Sequence, residues 1–239
     1  MKKNLIVILI FLFIFAEAQQ EISFNIKATY KLLVSSETGK VAENAVLLIN
    51  GIEKQSLFQS ENNYEADSIL SNQIKSSLLQ AGTFTINEGD FKKSIFNELY
   101  YFDGNRFTVF EMAFSNGYKY NDDSDLRWTI SDEVKKIGKL QVQKATCIIN
   151  KKKYTAWFSM DYTFPLGPFK FNGLPGLIVE VSSDSNDLEI QLLSIKTINS
   201  TKDMAQYGKF VTVQKKDFRT KIKENLETTN VSAFILEDN

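Results

Sequence analysis

The sequence of 239 residues contains no histidine, only one cysteine and only three prolines. Without histidine, catalysis by Ser-His-Asp or Cys-His groups is excluded, and so are zinc and copper sites built from imidazole ligands. The single cysteine, Cys147, cannot form an internal disulfide, so the fold must depend on its hydrophobic core. We therefore expect neither a metal ion nor another cofactor.

Net charge is also nearly absent, with 28 basic and 29 acidic residues in the whole chain. This balance lacks the basic surface that nucleic-acid binding requires and gives no polybasic segment for a membrane surface. Aromatic residues are abundant instead: 19 Phe and 9 Tyr supply enough apolar area for a large core.

The N-terminus has the three parts of a secretory signal peptide. Basic Lys2 and Lys3 precede an apolar run from Leu5 to Phe15, and Ala16-Glu17-Ala18 provides a small-x-small cleavage site. The alternative is a buried N-terminal helix. The run is too short to span a bilayer, which takes about 20 apolar residues. We expect residues 1–18 to be removed on export, leaving residues 19–239 as a single domain in the periplasm, outside the cell or associated with the outer membrane.

The rest of the chain is dominated by β-strand patterns. Apolar and polar residues alternate from Ile22 to Val34, which is typical of a half-buried strand. Further strands or turns are predicted at residues 45–50, from Leu57 onward, at 98–102 and 107–114 around Asp103-Gly104-Asn105, at the turn Asn116-Gly117, and at 126–130, 140–149, 154–160, 177–181 and 188–195.

Two segments have helical spacing. Leu70, Ile74 and Leu78 predict a helix over residues 68–80, with Ser68 as its cap and Gly82 as its end. An amphipathic helix is predicted at about residues 214–228 from Phe218, Ile222 and Leu226. The fold class is therefore mainly β, a β-rich α+β arrangement with an antiparallel curved sheet or partly closed barrel and one or two helices.

All three prolines lie between residues 165 and 175, in the most distinctive segment of the chain. Gly167-Pro168 and Gly173-Leu174-Pro175-Gly176 predict two turns, because glycine tolerates positive φ and proline fixes φ. The segment is predicted to be a rigid crossover between the strand that ends near Met160 and the strand that starts at Leu177.

These residues also carry a resemblance to a known family. Gly173-Leu174-Pro175-Gly176-Leu177-Ile178 resembles the signature of the GLPGLI family of Bacteroidetes. The supporting residues, in order, are Trp128, Lys144, Ala145, Tyr154, Ala156, Trp157, Phe158, Gly167, Pro168 and Phe171. The resemblance covers most of residues 22–195 and implies an exported protein without an established activity.

The remaining candidates for chemistry are few. Asp161 and Glu180 flank the crossover and are the carboxylate pair that a glycosidase-like mechanism would use; the alternative is a pair of surface carboxylates. Cys147 alternates with Ala145 and Ile149, which favours a buried thiol over a reactive one. The acidic segments 121–125 and 184–187 lack the pattern of an EF-hand loop and are predicted to be solvated turns. Lys151 to Lys153 are predicted to form an exposed hairpin tip, with binding of anionic lipid phosphates as the alternative.

Three functional hypotheses follow. The leading one is a non-enzymatic accessory protein of the cell envelope that binds a protein partner or an apolar ligand on the concave side of the sheet. A hydrolase that uses carboxylates without histidine is the alternative, and a purely structural subunit is the third. The GLPGLI segment itself is either a structural crossover or a binding site.

Overall fold

The computed structural model describes residues 21–36, 39–80, 91–122 and 126–226; the predicted signal peptide and Gly82 lie outside these ranges. The described strands are β1 (Glu21–Ser36), β2 (Gly39–Asn50), β3 (Gln55–Ser60), β4 (Leu99–Phe102), β5 (Phe107–Ala113), β6 (Asn116–Asp122), β7 (Thr129–Ile137), β8 (Leu140–Ile149), β9 (Lys152–Ser159), β10 (Leu177–Ser183), β11 (Leu188–Asp203) and β12 (Val211–Thr212). The helices are α1 (Glu61–Gln80), the single turn α2 (Ala205–Gly208) and α3 (Lys215–Leu226).

All of these strands belong to one sheet, in the order β12-β6-β5-β4-β3-β2-β1-β11-β10-β9-β8-β7. Neighbours pair antiparallel, except that β12 runs parallel to β6. The sheet consists of two meanders, β1 to β6 and β7 to β11, which are joined by the long pairing of β1 with β11. Because β12 and β7 are the two edges, the described sheet is open, and the predicted mainly β class with a curved antiparallel sheet is confirmed.

The sheet buries apolar residues on both faces. On the face that we call inner, Ala28, Tyr30 and Leu32 of β1 join one cluster that extends across both meanders and includes Phe218 and Ile222 of α3. The opposite, outer face is covered only over the first meander, by α1, α2 and their neighbours. Strand β2 is buried on both faces, which explains the uninterrupted apolar run at residues 45–49.

Helix α1 begins at Glu61, seven residues before the predicted start at Ser68. The hydroxyl of Ser60 accepts hydrogen bonds from the backbone N–H groups of Asn62 and Asn63, so Ser60 caps the helix. Ser68 lies inside the helix and donates to the Tyr64 carbonyl oxygen at 2.9 Å. The prediction was wrong because the polar first turns carry no apolar spacing to mark them.

The turn predicted at Asn116-Gly117 is also displaced. Phe114 and Ser115 form the turn, with φ of 49° and 63°, while Asn116 and Gly117 already belong to β6. Gly117 is required in the strand for another reason, since a Cβ there would lie 2.6 Å from the ring of Phe210. The glycine therefore marks a close packing contact and not the bend.

Two further boundaries differ from the sequence predictions. Strand β7 runs from Thr129 to Ile137, whereas the sequence predicted a strand over residues 126–130 that contained Trp128. The hairpin between β8 and β9 turns at Asn150 and Lys151, both at positive φ, so Lys152 and Lys153 are in β9 and not at the tip. Helix α3 is confirmed from Lys215 to Leu226, and its predicted last residues lie beyond the described chain.

Candidate functional site

The inner face is largely filled by the chain itself. The crossover segment, residues 160–176, connects β9 to β10 and inserts Leu166, Phe171 and Leu174 into the core with at most 1% exposure. Backbone hydrogen bonds attach the segment to β10: Leu177 donates to the Tyr162 carbonyl at 3.1 Å, and Ile178 donates to the Leu166 carbonyl at 3.0 Å. The segment is thus a fixed part of the core.

Two glycines of the crossover segment allow this close packing. A Cβ on Gly167 would lie 2.6 Å from the Phe171 carbonyl oxygen, and one on Gly176 would overlap the carbonyl oxygen of Ser159. Gly173 has open space around it but adopts φ of 86°, which disfavours other residues. Close contacts with carbonyl oxygens therefore require glycine at positions 167 and 176, whereas the positive φ favours glycine at position 173.

The other signature residues lie on both faces of the second meander. Trp128 precedes β7 and donates from its indole nitrogen to the Asn172 carbonyl at 2.7 Å, which fixes the end of the crossover segment. Ala145, Tyr154, Ala156, Phe158, Leu177 and Ile178 are buried on the inner face. Lys144 and Trp157 are paired neighbours on the outer face, where both are partly exposed.

Pro168 and Phe169 form the tip of the crossover segment, and Phe169 adopts the left-handed conformation at φ of 51°. A bulky side chain rarely takes this conformation, and its cost of about 1–3 kcal/mol must be offset by surrounding contacts. The ring of Phe169 packs against three aromatic side chains, with ring-centroid distances of 4.6 Å to Phe58, 5.4 Å to Phe96 and 5.4 Å to Tyr100. These rings form one wall of a cavity.

This inner cavity is the part of the inner face that the crossover segment leaves unfilled, and its volume is about 120 Å³. Apolar and aromatic side chains from both meanders surround it. They are Leu32, Val34, Ile95, Phe96, Tyr100, Tyr154, Phe169 and Leu188, with Ser35, Lys152 and Asp187 as polar neighbours. The cavity lies between β4 on one side and β9 on the other.

Two buried tyrosines add hydroxyl groups to the cavity wall. Tyr100 is 8% and Tyr154 3% exposed, and within the described residues neither hydroxyl has a hydrogen-bond partner. Burial, followed by the nearby Asp187 carboxylate, raises the pKa of Tyr154 to about 12, and burial likewise raises the pKa of Tyr100. Both hydroxyls therefore remain protonated donors at neutral pH.

An ion pair lies among the more exposed residues that line the cavity. The ammonium group of Lys152 is 2.5 Å from Asp187, and both side chains are more than one-third exposed. Burial tends to raise the pKa of Asp187, but hydrogen bonds from Lys152, Ser183 and Ser185 outweigh it and lower that pKa to about 2. Asp187 is therefore ionised over the whole physiological pH range.

The wall formed by residues 94–96 is held in place by Glu43 of β2. Its carboxylate accepts hydrogen bonds from the backbone N–H of Ile95 and the hydroxyl of Ser94, both at 2.6 Å, and from the hydroxyl of Ser60. Ile95 and Phe96 are thus fixed relative to β2. The cavity wall is ordered before any ligand arrives.

A buried polar cluster lies next to the cavity, beneath α3. The guanidinium of Arg219 contacts Glu111 at 3.3 Å and donates a hydrogen bond to the hydroxyl of Tyr120. Glu98 immediately precedes Leu99, which pairs with Phe110, so Glu98 lies across from Glu111. Burial, and then repulsion from Glu111, raises the pKa of Glu98 to about 7.

Lys170 extends this cluster from the crossover segment. It is 1% exposed, and its ammonium group is 3.6 Å from the Asp122 carboxylate, which also accepts a hydrogen bond from Lys215 at 3.2 Å. Asp122 is 7% exposed in β6, so the prediction of a solvated turn over residues 121–125 was wrong at this position. Residues 123–125 lie outside the described chain.

The structure does not bring the predicted carboxylate pair together. Asp161 is exposed just beyond the end of β9, and its carboxylate accepts a hydrogen bond from Ser159 at 3.2 Å. Glu180 lies opposite Trp157, which is four residues before Asp161 in the chain, and forms a 2.7 Å ion pair with Lys135.

Cys147 is buried in the inner cluster beside Ala145 and Ile149, as predicted. Burial raises the pKa of its thiol to about 11. The turn at residues 184–187 is confirmed, and Asp184 is exposed there. Among the described residues, no group of three or more cysteine, aspartate or glutamate side chains is arranged to hold a metal ion. None of the described helices has the length and apolar character needed to cross a membrane.

The sequence analysis missed the residues of the polar cluster. Glu111 shares its face with Phe107 and Val109, so strand alternation points it inward and could have identified it. Glu98 and Lys170 lie outside the strands, and Arg219 is one of several charged residues on α3. For these three residues the sequence gives no comparable signal.

No protein-family model and no curated protein sequence matches the chain. Among solved structures, two crystal forms of PNGF-II resemble it, in space groups C2 and P21, with TM-scores of 0.56 and 0.59. Sequence identity is 15% and 14%, over 83% and 84% of this chain.

The chain spans only about a third of PNGF-II, at 32% and 33% of its length in the two forms, so the likeness shows a shared fold alone. A LolA superfamily protein, NE2245 from Nitrosomonas europaea, aligns with a TM-score of 0.31 and 6% identity over 74% of this chain and 87% of its own.

Proposed function

We propose that the protein is an exported accessory protein of the cell envelope that binds a small apolar ligand in the inner cavity. The observation that carries this proposal is the pair of tyrosine hydroxyls, Tyr100 and Tyr154, which have no hydrogen-bond partner among the described residues and lie in a cavity with mainly apolar and aromatic walls. Each hydroxyl can donate and accept a hydrogen bond, so a ligand with one polar group finds a partner in this wall.

The volume of the cavity limits the size of the ligand. At about 120 Å³ it is close to an engineered apolar cavity of about 150 Å³ that binds benzene. Ligand sites for drug-sized molecules measure roughly 300–1,000 Å³. The ligand that we propose is therefore a single ring or a short branched chain, and not the acyl chain suggested by the number of phenylalanines.

The wall chemistry favours a ring. Phe96, Tyr100 and Phe169 offer aromatic faces and edges, which pair with other aromatic rings at centroid distances of about 4.5–7 Å. A hydroxyl on such a ring accepts a hydrogen bond from Tyr100 or Tyr154. A one-ring aromatic alcohol such as p-cresol satisfies both requirements and serves as the probe.

Export and family membership are part of the same proposal. We infer export from the signal-peptide pattern of residues 1–18. GLPGLI membership is proposed from the matching residues alone. The occurrence of a similar fold as about a third of PNGF-II is consistent with a module that can form part of a longer chain. The hydrolase alternative has no observation in its favour at Asp161 and Glu180, which lie apart.

Binding is tested with the mature chain, residues 19–239, by isothermal titration with p-cresol and with toluene. We expect p-cresol to bind more tightly than toluene, and Tyr100→Phe combined with Tyr154→Phe to remove the difference. Val34→Phe, which fills the cavity, should abolish binding of both compounds. Leu193→Phe is the matched control, because Leu193 is 51% exposed on β11 and does not line the cavity.

Two results would contradict the proposal. One is that the parent chain binds neither p-cresol nor toluene, since the cavity is then occupied by water alone. The other is an adduct of lipid mass on protein extracted from its own cell envelope and measured by native mass spectrometry, because an acyl chain does not fit the volume.

A further inference from the structure

A second depression lies on the outer face, over β3, β4 and β5 and between α1 and α2. This outer groove has a volume of about 270 Å³. Its wall combines amides and carboxyls with aromatic rings, namely Gln59, Asn63, Asp67, Asn97, Glu98, Phe110, Tyr207 and Phe210, together with Ala66, Leu99 and Met112. The groove is separate from the inner cavity, with which it shares no lining residue.

Gln59 is a buried polar residue of the groove whose amide nitrogen has no hydrogen-bond partner among the described residues. It is 2% exposed, and its amide nitrogen is buried without a hydrogen-bond partner. Within the described residues its carboxamide makes no hydrogen bond at all. A buried amide N–H group without an acceptor is costly, so an apolar residue would stabilise the fold better.

Three aromatic side chains form the apolar side of the groove. The ring centroid of Phe110 lies 4.9 Å from that of Tyr207 and 5.8 Å from that of Phe210, and the Tyr207 and Phe210 centroids are 5.4 Å apart. Phe210 is held against the backbone of Gly117, and Tyr207 and Phe210 are both half-buried. The rings thus form a rigid surface that is partly open to solvent.

The rim of the groove is ordered by contacts between elements. Lys202 of β11 lies 2.5 Å from Asp67 of α1 and places its ammonium group 5.6 Å from the ring centroid of Tyr207. The amide of Asn63 donates to the Phe96 carbonyl at 3.5 Å. The groove therefore has its shape from the protein's own contacts, while the buried amide nitrogen of Gln59 has no partner among the described residues.

We propose that the outer groove binds a single sugar ring. A pyranose has an apolar face of C–H groups that packs on aromatic rings and an edge of neighbouring hydroxyls that both donate and accept hydrogen bonds. A carboxamide offers a donor and an acceptor side by side, which matches two adjacent hydroxyls. Gln59 supplies that group at the base of the groove, and Asn97 adds a second carboxamide to its lining.

The test uses ligand-observed saturation-transfer NMR with glucose, galactose, mannose and N-acetylglucosamine, each as the free sugar and as its methyl glycoside. We expect at least one sugar to receive saturation from the parent chain. Gln59→Met should weaken its binding by about tenfold or more while the thermal midpoint stays level or rises, because the substitution removes an unpartnered polar group. Gln191→Met, at an exposed glutamine of β11, is the matched control and should bind like the parent.

The two forms of each sugar distinguish its source. Binding of both the free sugar and the methyl glycoside supports recognition of a ring at the end of a glycan, whereas binding of the free sugar alone supports a soluble monosaccharide. The proposal is overturned if none of the sugars binds or if Gln59→Met binds as tightly as the parent. It is also overturned if Gln59→Met lowers the thermal midpoint, because Gln59 then has a structural partner.

Discussion

The hydroxyl of Tyr30 donates a 2.8 Å hydrogen bond to the carbonyl oxygen of Ile178, the last residue of the segment that resembles the GLPGLI signature. Tyr30 belongs to β1 and Ile178 to β10, and β11 lies between these two strands in the sheet. The pairing of β10 with β9 shifts by one residue between Ile178 and Glu180. The Tyr30 hydroxyl thus donates to a carbonyl oxygen beside a β-bulge, and this hydrogen bond links the two meanders across the inner face.

Replacing Tyr30 with phenylalanine should destabilise the protein by about 1–3 kcal/mol, because the Ile178 carbonyl loses its side-chain donor in a buried site. Urea unfolding followed by circular dichroism measures the change, and the urea dependence should stay the same. Tyr162→Phe is the matched control, since within the described residues the Tyr162 hydroxyl has no hydrogen-bond partner. Equal losses in the two variants would contradict this role of Tyr30.

The glycines of the signature should respond differently to alanine. Gly176→Ala places a methyl group on the Ser159 carbonyl, so we expect a loss of about 3 kcal/mol or failure to fold. The added methyl group of Gly173→Ala meets open space. Its only cost is the strain of an alanine at positive φ, which lowers the free energy of unfolding by about 1 kcal/mol. Urea midpoints of the two variants test this order, and a larger loss for Gly173→Ala would refute the steric assignment.

Glu98 should make stability depend on pH. Its folded-state pKa of about 7 is above the ordinary value of 4.5, so between these values the folded state holds a proton that the unfolded state has released. The free energy of unfolding should therefore fall as pH rises from about 4.5 to 7 and stay lower above that range, by on the order of 3 kcal/mol.

Substitution by glutamine isolates this effect. Glu98→Gln cannot ionise, so its stability relative to the parent should increase as pH rises from 5 to 8, and urea unfolding at several pH values measures that difference. The neighbouring charges that face Glu98 are Glu111 of β5 and Arg219 of α3. A difference that does not vary with pH would show that Glu98 is ionised in the folded protein throughout.

Much of the sheet was predictable because its strands keep simple alternation. From Ile22 to Val34, every second residue of β1 is apolar. The hairpin between β4 and β5 could be predicted from its turn residues, Asp103-Gly104-Asn105. Helix α1 was harder, since its first turn, Glu61 to Tyr64, is polar and its start is defined by the hydroxyl of Ser60. Where a side chain determines the boundary, periodicity alone misplaces it.

The candidate sites were less predictable, because each depends on what the crossover segment does. The sequence shows that its prolines and glycines form turns, but not that Phe169 and Lys170 project to a cavity and to Asp122, respectively. Gln59 appears in the sequence as an ordinary polar residue of a short strand, and only the packing of α1 and α2 over it creates a groove. Sites built from contacts between distant segments are not encoded in local patterns.

We expect the thiol of Cys147 to be unreactive in the folded protein. It is 4% exposed, and with a pKa of about 11 only about one thiol in a thousand is ionised at pH 8. We expect negligible reaction with a thiol-specific disulfide reagent in buffer and complete reaction in urea.

Ile148→Cys in a Cys147→Ala background is the matched control: position 148 is 72% exposed on the same strand and should react at once. Similar rates for both cysteines in buffer would mean that the inner face opens readily, and the inner cavity would then not be a preformed binding site.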